Sequence, residues 1–130
     1  MPFTEVRSAK LASSPAPYSM ATLTSSQRLL HISGQVPQAA NGKTVTPGDI
    51  EGQTVQVIEN IKALLAEQNG SLADLCKVTI FLTSRDHLPA VMDVRRRYFS
   101  RPYPATSAVI VAGLANAEWM IEIEGLAALS

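Results

Sequence analysis

Two charged residues lie where the sequence pattern predicts apolar surroundings. Arg95 falls on the apolar stripe of a predicted helix, beside Met92 and Phe99, so it is not simply a solvated surface charge. A guanidinium there binds an anionic group or forms a salt bridge with its stem buried. Glu122 lies within an alternating apolar strand, with Glu124 two residues further on the same strand face. A carboxylate there positions a water or a proton, faces solvent, or pairs with an arginine.

The other reactive side chains form no recognisable cluster. His31 and His87 are far apart in the sequence, and with a single cysteine they predict no metal site. Cys76 alternates with apolar residues, so we interpret it as a small buried hydrophobe and not as a nucleophile.

The strongest periodic signal lies in the segment Gly48–Leu82. One helical stripe there contains Ile50, Thr54, Val57, Ile58, Ile61, Leu64 and Leu65, and the opposite polar face includes Gln53. Asn69-Gly70 ends the helix, with glycine expected in the left-handed conformation. The period then falls to two, which predicts a strand with Cys76, Val78, Ile80 and Leu82 on one face. An amphipathic helix followed by a strand predicts a helix layer on a sheet.

The remaining elements are assigned by the same rules. Phe3–Arg7 is a candidate edge strand, and a second helix within Ser84–Phe99 has Asp86 as its expected cap. The predicted strands are Tyr18–Leu23 and Arg28–Ser33, which form a hairpin, then Ala105–Val111 and Glu118–Ala128. Both helices lie on one sheet face. The other face is left uncovered and apolar, which predicts association with another subunit.

Length and composition exclude several classes of protein. A chain of 130 residues fits one domain, residues 1–130. Eleven basic and eleven acidic residues balance, which argues against nucleic-acid and membrane-surface binding. We expect a cytoplasmic protein, because the N-terminus shows no secretory signal, no apolar run is long enough for a membrane span, and one cysteine suits a reducing compartment.

Several segments in order match one family pattern. They are APYS at 16–19, ISGQVP at 32–37, the helix at 53–75, VTIFL at 78–82, YPATSAV at 103–109 and EIEGLA at 122–127. The chain therefore resembles the RidA/YjgF/YER057c family of reactive-intermediate deaminases. The resemblance implies an α+β, chorismate-mutase-like fold, with a mixed sheet and two helices on one face. It also implies a homotrimeric barrel with ligand clefts between subunits.

The resemblance also implies a chemistry and a set of site residues. The family hydrolyses enamines and imines without a cofactor or metal, and Glu122 matches its motif glutamate. Tyr18 matches a pocket tyrosine of the family. The alternative role for Tyr18 is that of an aromatic side chain in an interface or in the core. Ser33 and Gly34 match the family motif that borders the cleft. The alternative role for both residues is to form the turn at the end of a strand.

The main departure from the family pattern is Thr106, which stands where the deaminases have a carboxylate-binding arginine. A hydroxyl offers only a neutral hydrogen bond of about 0.5–1.5 kcal/mol. Ala108 and Met92 likewise replace polar pocket residues of many members. Arg95 is the candidate replacement for the arginine, and a structural salt bridge is its alternative role.

Three functions follow from these residues. The first is deamination of an altered enamine or imine substrate, and the second is a trimer that binds a small molecule without transforming it. The third, an endoribonuclease, has little support from the neutral charge.

Overall fold

The structure, a computed structural model, describes residues 2–12, 15–25 and 27–130. Its elements are β1 (Phe3–Val6), β2 (Ala21–Thr24), β3 (Arg28–Gln35), α1 (Ile50–Ala66), β4 (Leu75–Leu82), α2 (Leu88–Tyr98), β5 (Ala105–Ile110) and β6 (Ile121–Leu129). Short 3₁₀ turns at Leu72–Asp74 and Arg85–His87 precede β4 and α2. The two helices and the strands after them lie within the segments predicted from periodicity.

The main sheet is mixed and has the strand order β3-β6-β4-β5. β6 is antiparallel to both of its neighbours, and β5 is parallel to β4. A parallel pair needs a crossover, which α2 supplies. β1 and β2 form a separate antiparallel ribbon.

The predicted hairpin between Tyr18–Leu23 and Arg28–Ser33 is wrong. β2 pairs with β1, whereas β3 pairs with β6. The turn expected between them includes Ser26, which lies outside the described residues. Ile32 is 5% exposed and belongs to the core beneath the helices, so β3 gains more burial beside β6 than beside the short β2.

Both helices cover the same face of the main sheet, as expected. The stripe residues Val57, Ile58, Ile61 and Leu65 are at most 2% exposed, and they join Val78, Ile80, Leu82, Ile121 and Ile123 in one core cluster. Two positions of α1 differ from the prediction. Leu64 is 40% exposed and Gln53 is fully buried. Gln53 lies three residues from Ile50 and four from Val57, which places it on the stripe.

A bulge at the start of β4 changes the predicted alternation. The pairing of β4 with β6 shifts register between Leu75 and Lys77, so that Leu75 and Cys76 are both buried. Cys76 consequently packs with Phe3 and Ala128 in a small separate cluster and not with Val78. Its interpretation as a buried hydrophobe is confirmed, and burial raises the pKa of its thiol.

The helix ends also differ from the prediction in detail. Asn69, and not Gly70, has the left-handed backbone, with φ 58°. Gly70 is closely packed instead: a Cβ there would lie 2.8 Å from Leu129 Cδ2, so the Leu129 side chain would have to shift. Before α2, Ser84 Oγ accepts a hydrogen bond from the Asp86 backbone N at 3.1 Å and so caps the 3₁₀ turn Arg85–His87. The N-cap of α2 itself is His87, whose side chain makes no capping hydrogen bond, so the cap expected from Asp86 is wrong.

The second sheet face has no helix packed on it in the described part of the chain. Lys77, Thr79 and Phe81 of β4 lie on this open face, together with Glu122 and Glu124 of β6. The prediction that this face is apolar is therefore wrong for all of these residues except Phe81, because Ile121 and Ile123 face the helices and leave the glutamates of β6 on the open side. At the sheet edge, Val109 and Ile110 of β5 are 40% and 46% exposed. As for membrane association, no described helix is long and apolar enough to cross a bilayer.

The stripe of α1 gives a matched stability test. Leu65→Ala should lower the free energy of unfolding by about 2–5 kcal/mol, because it leaves a cavity in the core. Leu64→Ala, at a 40% exposed position, should lower it by less than about 1 kcal/mol. Urea unfolding at one protein concentration measures both. Equal losses would contradict the assignment of Leu64 to the surface.

Candidate functional site

The pairing of three strands determines which face each candidate residue occupies. Val78 pairs with Thr106 on one side and with Gly125 on the other, and it faces the helices. Directly paired residues share a face, so Thr106 lies on the helix face. Phe81 pairs with Glu122 on the open face. Glu122 and Thr106 are therefore on opposite faces of one sheet.

The Glu122 carboxylate lies directly over the backbone of Gly34. A Cβ added to Gly34 would come within 2.7 Å of Glu122 Cδ, so only glycine leaves the carboxylate where it is. Glu122 is half-buried, and its side chain has neither a hydrogen bond nor an ion pair among the described residues. A partly buried carboxylate without a partner is available to bind water or ligand.

An irregularity in β3 brings Gly34 to this position. The pairing of β3 with β6 shifts between Ile32 and Gln35, which takes Ser33 and Gly34 out of the regular ladder. Ser33 is exposed on the open face and lines a shallow depression of about 350 Å³ with His31, Lys77, Thr79 and Glu124. We call Ser33, Gly34 and Glu122 the carboxylate half-site.

Arg95 extends from α2 to the start of β5, where it contacts Thr106. Its Nη2 donates a hydrogen bond to Thr106 Oγ1 at 2.9 Å, and its guanidinium carbon lies 5.5 Å from the centre of the Phe99 ring. Arg95 is only 2% exposed. Its burial confirms that Arg95 is not a solvated surface charge. The alternative of a salt bridge within the chain is wrong for the described residues, because none of their carboxylates pairs with Arg95.

The charge of Arg95 is poorly compensated. Its Nη1 is buried and has no hydrogen-bond partner among the described residues. Burial lowers the pKa of Arg95 to about 10, and the nearby Tyr103 opposes this shift. The guanidinium therefore stays protonated at neutral pH. We call Arg95, Thr106 and Ala108 the arginine half-site.

Thr106 has its hydroxyl proton already engaged. Thr106 Oγ1 accepts from Arg95 and donates to the Pro104 carbonyl oxygen at 3.0 Å. Thr106 therefore has no free proton for a ligand. Ala108, two residues further on β5, is exposed and offers only a methyl group, while Met92 packs against the main core.

Tyr18 lies beside the start of β5 and not beside Glu122. The Ser19 backbone N donates to the Pro104 carbonyl at 3.1 Å, and Ser19 bridges to Ala105. Tyr18 is half-buried and lines a cleft of about 690 Å³ that also contains Glu5 and the exposed Arg101. One protomer thus holds Tyr18 close to the strand that carries Thr106.

Gln53 is a positioning residue that the sequence analysis missed. Its amide donates to the Glu118 carbonyl at 2.9 Å and accepts from the Met120 backbone N at 2.9 Å. These bonds hold the turn that leads into β6, two residues before Glu122. The sequence contains a signal for the burial of Gln53, because its spacing from Ile50 and Val57 places it on the apolar stripe of α1.

The described residues contain no group of three or more histidine, cysteine or acidic side chains that could hold a metal ion.

Comparison with known proteins identifies the family. The family model described as Endoribonuclease L-PSP matches residues 9–129. The chain is 37% identical over 112 residues to 3-aminoacrylate deaminase RutC of Acinetobacter baylyi, covering 86% of each protein. It is 33% identical over 121 residues to a 2-iminobutanoate/2-iminopropanoate deaminase of Dermatophagoides farinae, covering 92% of this chain and 91% of the other. The chain belongs to the Rid (RidA/YjgF/L-PSP) family.

The fold agrees with solved Rid structures. The Rid family protein YyfB of Yersinia pestis superposes with a TM-score of 0.92 at 32% identity, over 99% of this chain and 100% of the other. The α+β fold with a mixed sheet and two helices is thus shared with the Rid family.

The contact between Gly34 and Glu122 gives a test of the carboxylate half-site. Gly34→Ala should displace the Glu122 side chain, because the new Cβ would occupy its place, while the backbone needs no change. The free energy of unfolding should change by less than about 1 kcal/mol. A crystal structure of the variant and its thermal unfolding measure the two effects.

Gly113→Ala is the matched control for this change. A Cβ at Gly113 meets no atom within 4 Å, so neither the fold nor Glu122 should respond. An unmoved Glu122 in the Gly34→Ala crystal structure would contradict the described contact.

Proposed function

We propose that this Rid protein hydrolyses a small enamine or imine to a carbonyl compound and ammonia. The unpaired, half-buried Glu122 carboxylate over the Gly34 backbone is the observation that carries the proposal. The two relatives named as an aminoacrylate deaminase and an iminobutanoate deaminase support the same reaction class.

The proposed chemistry uses Glu122 as a general base and then as an acid. Glu122 accepts a proton from a water molecule while the water oxygen adds to the imine carbon, and Glu122 then passes this proton to the imine nitrogen. The carbinolamine next collapses: Glu122 transfers the hydroxyl proton to the amino nitrogen, the carbon–nitrogen bond breaks, ammonia leaves, and the carbonyl group forms. One water is consumed for each ammonia released, and no cofactor or metal takes part. An enamine enters the same route after protonation at carbon.

A complete site requires a second copy of the chain. The carboxylate half-site and the arginine half-site lie on opposite faces of one sheet, so one protomer does not bring them together. We propose that a homotrimer joins the half-sites of neighbouring copies in intersubunit clefts. The exposed Val109 and Ile110 on the β5 edge support this assembly, because apolar residues at an open strand edge favour contact with another chain.

The substrate preference should differ from that of relatives with an arginine at the Thr106 position. The proton of the Thr106 hydroxyl is engaged with Pro104, and Ala108 presents a methyl group. A bidentate contact to a substrate carboxylate is therefore absent at this strand. A substrate carboxylate should therefore bind more weakly here than in relatives that have an arginine on this strand.

A binding protein without catalysis is the second candidate. The engaged hydroxyl of Thr106 favours it, because this position offers no donor to a developing charge. A ligand that raises the unfolding temperature and is recovered unchanged would support this function over catalysis.

An endoribonuclease, the name carried by the family model, has weaker support. Arg96 pairs with Asp93 at 3.1 Å, and Arg97 pairs with Glu51 at 2.9 Å. The basic run of α2 is thus largely neutralised, whereas RNA binding depends on free positive charge.

The catalytic role of Glu122 is tested by Glu122→Gln. The substitution removes the base but keeps the size of the side chain, so the deamination rate should fall by about 10²–10⁴-fold. The measurement is ammonia and 2-oxobutanoate release from 2-iminobutanoate generated in situ, corrected for spontaneous hydrolysis.

Glu59→Gln is the control, since the Glu59 carboxylate lies on the surface of α1 and pairs with Lys62 at 3.2 Å. It should keep a rate within about twofold of the parent chain, because its removal leaves the base in place. Equal rates for Glu122→Gln and the parent chain would exclude Glu122 as the base.

The assembly is tested at the β5 edge. Light scattering should give three times the mass of the chain, and Ile110→Lys should shift it toward a monomer, because a charge would enter an apolar contact. Lys43→Glu, in an exposed loop, is the control and should remain a trimer. A monomeric parent chain would contradict the shared cleft.

A further inference from the structure

The Arg95 guanidinium is the only buried charge without an opposite charge in the described residues of the main core. Glutamates and aspartates pair with Arg7, Lys62, Arg96, Arg97 and Arg101, all on the surface, but none pairs with Arg95. Arg95 has one neutral acceptor, Thr106 Oγ1, and its Nη1 has none. Burying a charge with so little compensation is costly, so a purely structural role would favour an apolar side chain here.

The apolar surroundings of Arg95 screen its positive charge only weakly. It lines a small internal cavity with Ile58, Ile61, Val78, Phe99 and other apolar residues. Such walls screen a charge far less than water does. The charge also persists at neutral pH, since its pKa of about 10 is still well above 7.

The Arg95 guanidinium lies next to the start of β5, so a ligand bound there is close to its positive charge. The guanidinium donates to Thr106, a partly exposed residue of the edge strand β5. β5 pairs with β4 on one side, and on its other side Ser19 bridges to Ala105. Beyond Ala105, no strand among the described residues pairs with this second edge of β5. An anionic group bound at this edge would therefore lie about one side chain away from an unneutralised positive charge.

We propose that Arg95 is a specificity-determining residue that selects ligands with a carboxylate at the start of β5, acting from beneath the strand. This inference rests on the proposed function for the location of the ligand. Arg95 acts through its charge and through the Thr106 hydroxyl that it holds, and not as a group that touches the reacting atoms. It compensates for the absence of a bidentate contact on β5 itself.

The experiment compares a carboxylate with its neutral ester. Calorimetry measures the dissociation constants of 2-oxobutanoate and methyl 2-oxobutanoate for the parent chain, Arg95→Met and Arg96→Met. The parent chain should prefer the acid. Arg95→Met should weaken binding of the acid by about tenfold and leave the ester unchanged, because only the acid interacts with the charge.

Arg96→Met is the matched control. Arg96 is exposed and paired with Asp93 on the surface, so its removal should leave both dissociation constants within about twofold. If Arg95→Met does not fold, Arg95→Gln replaces it, because glutamine keeps a donor for Thr106 without the charge. Added salt gives a further readout. The acid preference should persist at roughly 0.5 M NaCl, a concentration that screens charges on the protein surface, because the Arg95 guanidinium is buried.

The outcomes separate this inference from the proposed function. Equal acid preference in Arg95→Met and the parent chain, or no acid preference in the parent chain, overturns the role of Arg95, while Glu122-dependent ammonia release can still stand. Loss of acid preference in Arg95→Met supports the inference even if no imine is hydrolysed. A loss of affinity for acid and ester alike assigns Arg95 a structural role and overturns the proposal.

Discussion

The alternation of side chains along β4 is the constraint on which the rest of the structure depends. β4 pairs on both sides, so its alternation determines the faces of β5 and β6 as well. Val78, Ile80 and Leu82 must face the helices to bury the core, and this requirement places Thr106 on the helix face. It also places Glu122 on the open face. The separation of the two half-sites is thus a consequence of core packing, and the proposed cleft between copies would bring them together.

The two half-sites hold their charges in different ways. Glu122 stays at a partly exposed position, where the absence of a side chain at Gly34 leaves room for its carboxylate. Arg95 is almost fully buried and is left with one neutral acceptor. A carboxylate that exchanges protons needs access to water, whereas a charge that acts through its field is more effective in an apolar environment.

Backbone irregularities and one buried amide refine these positions. The shift in β3 after Ile32 places Gly34 under Glu122, and the Gln53 amide holds the turn just before β6. The shift at the start of β4 turns Cys76 away from the main core. Each feature satisfies a local need for packing or hydrogen bonding, and together they determine where the functional side chains are.

Local periodicity was sufficient to predict α1, α2, β4 and the strand that carries Glu122, because helix and strand periods are properties of neighbouring residues. The order of the motifs along the chain was sufficient to predict the family and its α+β fold. Pairing between distant segments was decided only by the tertiary structure: β2 with β1, β3 with β6, and Arg95 with Thr106 across the turn between α2 and β5. Those pairings depend on which segments compete best for a common core, and a single sequence carries no local signal for that competition.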